Sequence, residues 1–275
     1  MFKAYLYLFP ILVFVPWASA AQQKITIDET NQPLWEFGLG VGAAVLPDYL
    51  GSDQSSTYVL PAPYIRYRGE KFKADRQGVR GIFYDSEKLD LNLSFSGSLP
   101  VQNEQNEARR GMNNLDLVAE VGPKLEYQLQ KTSSYLLRLD LSARGAFSIG
   151  NPMLYHRGWT FEPRFYYERE LGQWLFTSKL SSSFSDQRYH QYYFGVAPEF
   201  STETRPSYQA KAGYTGTELA FKVRRRYQSW YFNFGVKYFS LHGSAYQDSP
   251  LVRQNHYVSA TALVSYIFGQ SNTSK

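Results

Sequence analysis

Between Leu115 and Phe147 apolar residues recur at every second position through two consecutive passes, separated only by the polar segment Gln130 to Ser134. Leu115, Leu117, Ala119, Val121, Pro123, Leu125, Tyr127 and Leu129 on one face alternate with Asp116, Val118, Glu120, Gly122, Lys124, Glu126 and Gln128 on the other. Tyr135, Leu137, Leu139, Leu141 and Ala143 then alternate with Arg138, Asp140, Ser142 and Arg144. A two-residue period belongs to a strand with unlike faces. Strands of ordinary sheets run about five or six residues, and these passes are about twice as long. A bilayer crossed at a tilt needs about nine to eleven. The hairpin therefore predicts membrane-crossing strands, and lipid admits strands only as a closed barrel.

Carried along the chain, the same reading predicts an all-β, antiparallel transmembrane β-barrel of about twelve strands. Residues 1–20 read as a secretory signal: Lys3, the apolar run Ala4 to Val15, then the small-residue box Ala18-Ser19-Ala20, with cleavage near Ala20-Ala21. Residues 21–33 read as a periplasmic lead-in, 34–268 as the barrel and 269–275 as a polar tail. The predicted strands are Leu34–Leu46, Thr57–Tyr67, two short ones within Lys71–Tyr84, Leu89–Phe95, the two passes above, Gly158–Glu170, Trp174–Phe184, Thr217–Tyr227, Trp230–Leu241 and His256–Phe268. Gln187 to Tyr214 reads as mostly loop. Connections are long after Leu46, Phe95, Phe147, Phe184 and Leu241, and short at Gly69, Ser86, Thr132, Gly172 and Gln228. That alternation matches the short periplasmic turns and longer extracellular loops of outer-membrane barrels.

Composition follows from the alternation. Aromatic residues make up 17%, with 23 Tyr and 19 Phe, yet mean hydropathy is only −0.41, because half of each strand is polar. The absence of cysteine excludes disulfides, thiolate metal sites and cysteine nucleophiles. A net charge of +5 on an exported chain points to lipopolysaccharide phosphates or cell-wall carboxylates and to no nucleic acid. Solubility before insertion accounts for it equally well. Trp35, Trp159, Trp174, Trp230, Tyr127 and Tyr135 fall near predicted strand ends, where aromatic girdles sit.

The inner faces carry Glu36, Asp90, Asp116, Glu120, Lys124, Glu126, Arg138, Asp140, Arg144, Glu162, Arg164, Lys179, Lys222, Arg224 and Lys237. Two readings stay open: a lumen filled by cross-strand ion pairs, or a selective pore for small polar solutes. Glycines 38, 40 and 42 on the first inner face are expected to leave room for bulky residues opposite. The histidines, His156, His190, His242 and His256, fall in or beside predicted outer loops; they read as solvated, with a hydrolase as the remote alternative. Near the short turns, Arg66, Arg68, Lys71, Lys131, Arg224, Arg225 and Arg226 make a candidate partner-facing periplasmic rim, with a ring of snorkelling cations as the competing reading. No catalytic group, cofactor or metal is implied.

Four short motifs, Pro47-Asp48-Tyr49-Leu50-Gly51-Ser52-Asp53, Tyr193-Phe194-Gly195-Val196, Ser249-Pro250-Leu251-Val252 and Ser265-Tyr266-Ile267-Phe268, occur in the order and spacing of one group. In these the chain resembles the MltA-interacting protein (MipA)/OmpV family of outer-membrane proteins, from about Trp35 to Phe268. The resemblance implies a barrel that acts as a scaffold, bringing a membrane-bound lytic transglycosylase together with a bifunctional penicillin-binding protein. It brings no catalytic residues. The tail after Phe268 departs from barrels that finish on their terminal aromatic.

Overall fold

The computed structural model describes residues 32–69, 72–75, 78–150 and 154–272. The predicted signal, most of the lead-in, Lys71 and the end of the tail lie outside the described residues. Those described form twelve strands: β1 (Trp35–Pro47), β2 (Ser55–Arg68), β3 (Phe72–Asp75), β4 (Gly78–Asp85), β5 (Leu89–Ser98), β6 (Leu117–Lys131), β7 (Tyr135–Ile149), β8 (Tyr155–Leu171), β9 (Trp174–Ser185), β10 (Gly213–Tyr227), β11 (Trp230–Ser240) and β12 (His256–Gln270). Each pairs antiparallel with its sequence neighbours, and β1 pairs with β12 from Glu36–Gln270 to Val45–Ala260, so the barrel closes. Closure joins the first strand to the last, as lipid requires, and the ladder is thinnest at the short strands, where β2 meets β3 at Tyr67–Ala74 and Arg68–Lys73.

The pleat sorts the side chains as the alternation predicts. Leu39, Val41, Val59, Ile65, Phe165 and Val258 stand outward and largely exposed, whereas Glu36, Glu126 and Asp140 point inward and are buried. The sheet is thus apolar outside and charged inside, the reverse of a soluble protein. Trp35, Tyr135, Trp174 and Trp230 are each the first residue of a strand rising from the short-turn end, a row of amphipathic rings at one rim.

Three expectations change. Gln187 to Tyr214 is not simply loop: Gln187–Phe194 forms helix α1, whose N-cap Asp186 accepts a hydrogen bond from the Tyr189 backbone N–H, satisfying a donor the first turn leaves free. Leu115 is not on the outer face; it bridges Val101 above the barrel and is buried. Glycines 38 and 40 do not make room for residues opposite. A Cβ there would strike the β12 carbonyls of Tyr266 and Val264, so those positions let two strands approach closely; at Gly42 a Cβ would instead make ordinary contacts, 3.6 Å from Ala62 and 3.9 Å from Leu263.

Candidate functional site

The lumen is bridged at the short-turn end. Glu36 of β1 accepts from Arg68 of β2 at 2.8 Å and from Arg226 of β10, and β1 and β10 are separated by two strands. Arg226 also donates to the Gln270 side chain, and Arg68 to the Pro33 carbonyl. A carboxylate buried with two guanidiniums is held by charge-assisted hydrogen bonds, and the pair offsets its desolvation only while complete. Directly beside it Tyr64, Leu175, Tyr231 and Ile267 form a buried apolar cluster, with the two tyrosine rings 5.3 Å apart. Together these groups make a floor across the barrel.

Mid-lumen charges are paired along one wall. Arg138 bonds Glu126 at 2.9 Å and Asp140 at 2.5 Å and lies over the Tyr166 ring. Arg144 joins Glu120 at 3.1 Å and Glu162 at 2.8 Å, and Arg224 pairs with Glu168 across β9. Along this wall the lumen is salt-bridged.

The long-loop end carries the main apolar core. Tyr49, Val101, Met112, Leu115, Tyr193, Phe194, Leu241, Tyr246 and Leu251 pack together above the strands, with Phe194 stacked on Tyr246 at 3.6 Å. Hydrogen bonds interlock the loops: Tyr49 Oη to the Leu251 carbonyl at 2.8 Å, Arg109 to the Tyr193 carbonyl at 2.8 Å, Ser249 Oγ to the Phe194 carbonyl at 2.7 Å. Asn106 reaches Asp48 and Ser52, and Arg205 caps the Ala108 and Arg110 carbonyls. Gly51 adopts a left-handed turn at φ +88°, and a Cβ there would stand 3.0 Å from Leu241 and 3.3 Å from Val252, tight enough to favour glycine. Helix α1 ties this roof to the lumen, since Tyr189 donates to Glu120 at 3.0 Å.

Three motifs far apart in sequence therefore meet in one body: Pro47 to Asp53, Tyr193 to Val196, and Ser249 to Val252. The family model described as MltA-interacting protein MipA matches residues 39–268. The chain belongs to the MipA family. No curated protein matches it. Among solved structures the MipA-family barrel is similar to a bacterial polysaccharide outer membrane secretin (7% identity, 89% of this chain and 100% of that one, TM-score 0.42). It is also similar to the Pseudomonas putida toluene transporter TodX (9%, 85% and 89%, TM-score 0.37) and to a Pseudomonas aeruginosa FadL homologue (7%, 86% and 90%, TM-score 0.34). With its closed sheet and apolar exterior, this MipA-family chain is an outer-membrane β-barrel protein.

The structure divides the basic residues that the sequence groups as a rim. Arg68 and Arg226 are buried in the floor and Arg224 is turned to Glu168, so these three are lumen residues and not a partner-facing surface. Arg225 faces the other way, its guanidinium over the rings of Trp174 and Tyr227, the arrangement of a cation at a membrane boundary. Arg66 is half-buried, and Lys131 is exposed, as are Lys88 and Arg169, which belong to the same end.

The MipA-family roof also accounts for His190, which is not solvated. It is fully buried, with Nδ1 donating to the Lys211 carbonyl at 2.6 Å and Nε2 accepting from Thr215 at 2.9 Å. Burial holds its imidazole below the usual value, against the opposing effects of the Lys211 carbonyl and the Asp186 charge. His242 and His256 are exposed. His156 is half-buried, shares a hydrogen bond with Arg188 and stands edge-on to Trp159.

Proposed function

We propose that this barrel is a scaffold of the cell envelope that docks a MltA-type membrane-bound lytic transglycosylase and, with it, a bifunctional penicillin-binding protein. The observation that carries the reading is the bridging of the lumen at both ends, by the Glu36–Arg68–Arg226 floor and by the interlocked roof. Such a molecule acts through the surfaces it presents. The family description, MltA-interacting protein, supplies the first partner.

Short turns face the periplasm in barrels of this class, so the docking surface is placed at the short-turn end. Among the described residues, the cations exposed there include Lys88, Lys131 and Arg169, and exposed charges of this kind act mainly on encounter rate and specificity. The hydrolase reading gains nothing from His190, since both of its ring nitrogens are engaged within the roof.

Photo-crosslinkers placed at Lys131 and Arg169, and at His242 on the opposite end, test this in intact envelopes. The proposal expects the transglycosylase and the synthase to be captured from the first two positions and not from the third. Capture of neither enzyme from any short-turn position contradicts it.

A further inference from the structure

The ion pairing of the lumen stops on one side. Lys179 of β9 and Lys237 of β11 both lie beside Ala220 of β10 in register, and Lys222 is the next inward residue on β10. Lys237 pairs with Glu218 at 3.0 Å and the neighbouring Arg164 with Glu162. Among the described residues, Lys179 and Lys222 have no carboxylate partner; Lys179 has only the ring of Tyr166, 5.6 Å from its Nζ. Two lysines outside any ion pair, beside two more cations, leave a local excess of positive charge in a barrel where Arg138, Arg144 and Arg224 are each paired with acids. Placing ammonium groups inside a barrel without anions is unfavourable unless water or a ligand supplies the missing contacts.

Directly above lies a cavity of about 230 Å³ under the roof. Its walls are mostly apolar and aromatic, including Tyr58, Leu99, Tyr193 and Tyr257, and its lower boundary is the Glu218–Lys237 pair. Lys237 thus belongs both to the cavity and to the lysine group. On β2, Leu60 is placed inward by its pairing with Gly42 and stays exposed. The volume falls below the roughly 300–1,000 Å³ of sites for drug-sized molecules, which limits an occupant to about one ring or a short chain.

We propose that Lys179, Lys222 and Lys237 form the anion-binding base of a solute site whose upper wall is the tyrosine-lined cavity, and that its ligand is a small organic anion with an apolar body, an aryl or short alkyl carboxylate. The carboxylate meets the lysines, and the apolar body lies against the rings beneath the roof. The site is independent of docking at the short-turn end.

Calorimetric titration of the full protein in detergent, at fixed chloride concentration, tests it with benzoate, with benzamide as its neutral counterpart, and with inorganic phosphate as an anion lacking an apolar body. Benzoate is expected to saturate one site, and the other two to bind about tenfold more weakly or worse. The pair Lys179→Met and Lys222→Met is expected to weaken benzoate by about tenfold or more without lowering the thermal midpoint, since the replaced lysines have no ion partner to strand. In the unmutated protein, reductively methylated lysines give a second readout: the Lys179 and Lys222 signals shift with benzoate and stay put with benzamide. No saturable benzoate binding, phosphate binding as tight as benzoate, or unchanged binding by the double variant overturns the proposal.

Discussion

The Tyr49 hydroxyl donates to the Leu251 carbonyl at 2.8 Å across 202 positions of sequence, joining the first outer loop to the last. Both residues are buried, and burial drives the phenol further above its usual range, so it remains a donor. Tyr49→Phe leaves that carbonyl without its partner, which costs about 1–3 kcal/mol. The expected readout is faster amide exchange in residues 241–255, with the strand amides unchanged.

Glu36 serves two cations at once. Glu36→Gln removes the charge that Arg68 and Arg226 share, and breaking a buried ionic group in this way costs about 3–5 kcal/mol. Unfolding by urea in lipid vesicles is expected to move to lower denaturant concentration. Lys131→Gln, at an exposed position of the same end, is expected to leave the midpoint in place.

His190 makes the roof sensitive to pH. Its folded-state value is lowered by burial, whereas the unfolded chain protonates near about 6.5. Between those two values the unfolded state binds more protons, so stability rises with pH through that window. The contribution is complete above the unfolded value and declines as pH falls below it. Roof amides, corrected for intrinsic exchange, are expected to open more readily from pH 7 toward 5, and His190→Asn to flatten that dependence.

The two faces of the sheet are also separable by mutation. Val41 stands at mid-strand on the outer face, 57% exposed, and Val41→Arg is expected to cost about 2–4 kcal/mol of folding into lipid. Ser96 points inward and is paired in register with Glu120. Ser96→Arg is expected to change folding little, because it places a cation beside an acid in a wet lumen. Equal costs for the two substitutions would contradict the assignment of faces.

The strands are legible in the sequence because each long one must satisfy lipid on one side and charge on the other, a constraint repeated locally at every second residue. Even β3 and β4 follow from the alternation of long and short connections. The roof is not legible in this way. Met112, Leu115, Phe194 and Leu251 are buried by contacts between loops far apart in sequence, and no period announces that. The octapeptide of α1 carries aromatic residues that pack on several sides, so it shows no single apolar stripe; the Asp186 cap is its one local signal. The floor was half visible. Glu36 reads as inward by parity, but Arg68 and Arg226 sit next to turns, and only the register of β1 against β2 and the barrel closure bring both arginines onto Glu36.

Electrical recording in planar bilayers tests most directly whether the barrel works through its surfaces or through a passage. Reconstituted at neutral pH, the unmodified protein is expected to give no sustained conductance steps, because floor and roof both bridge the lumen. Stable, voltage-independent steps from the unmodified protein would contradict the account.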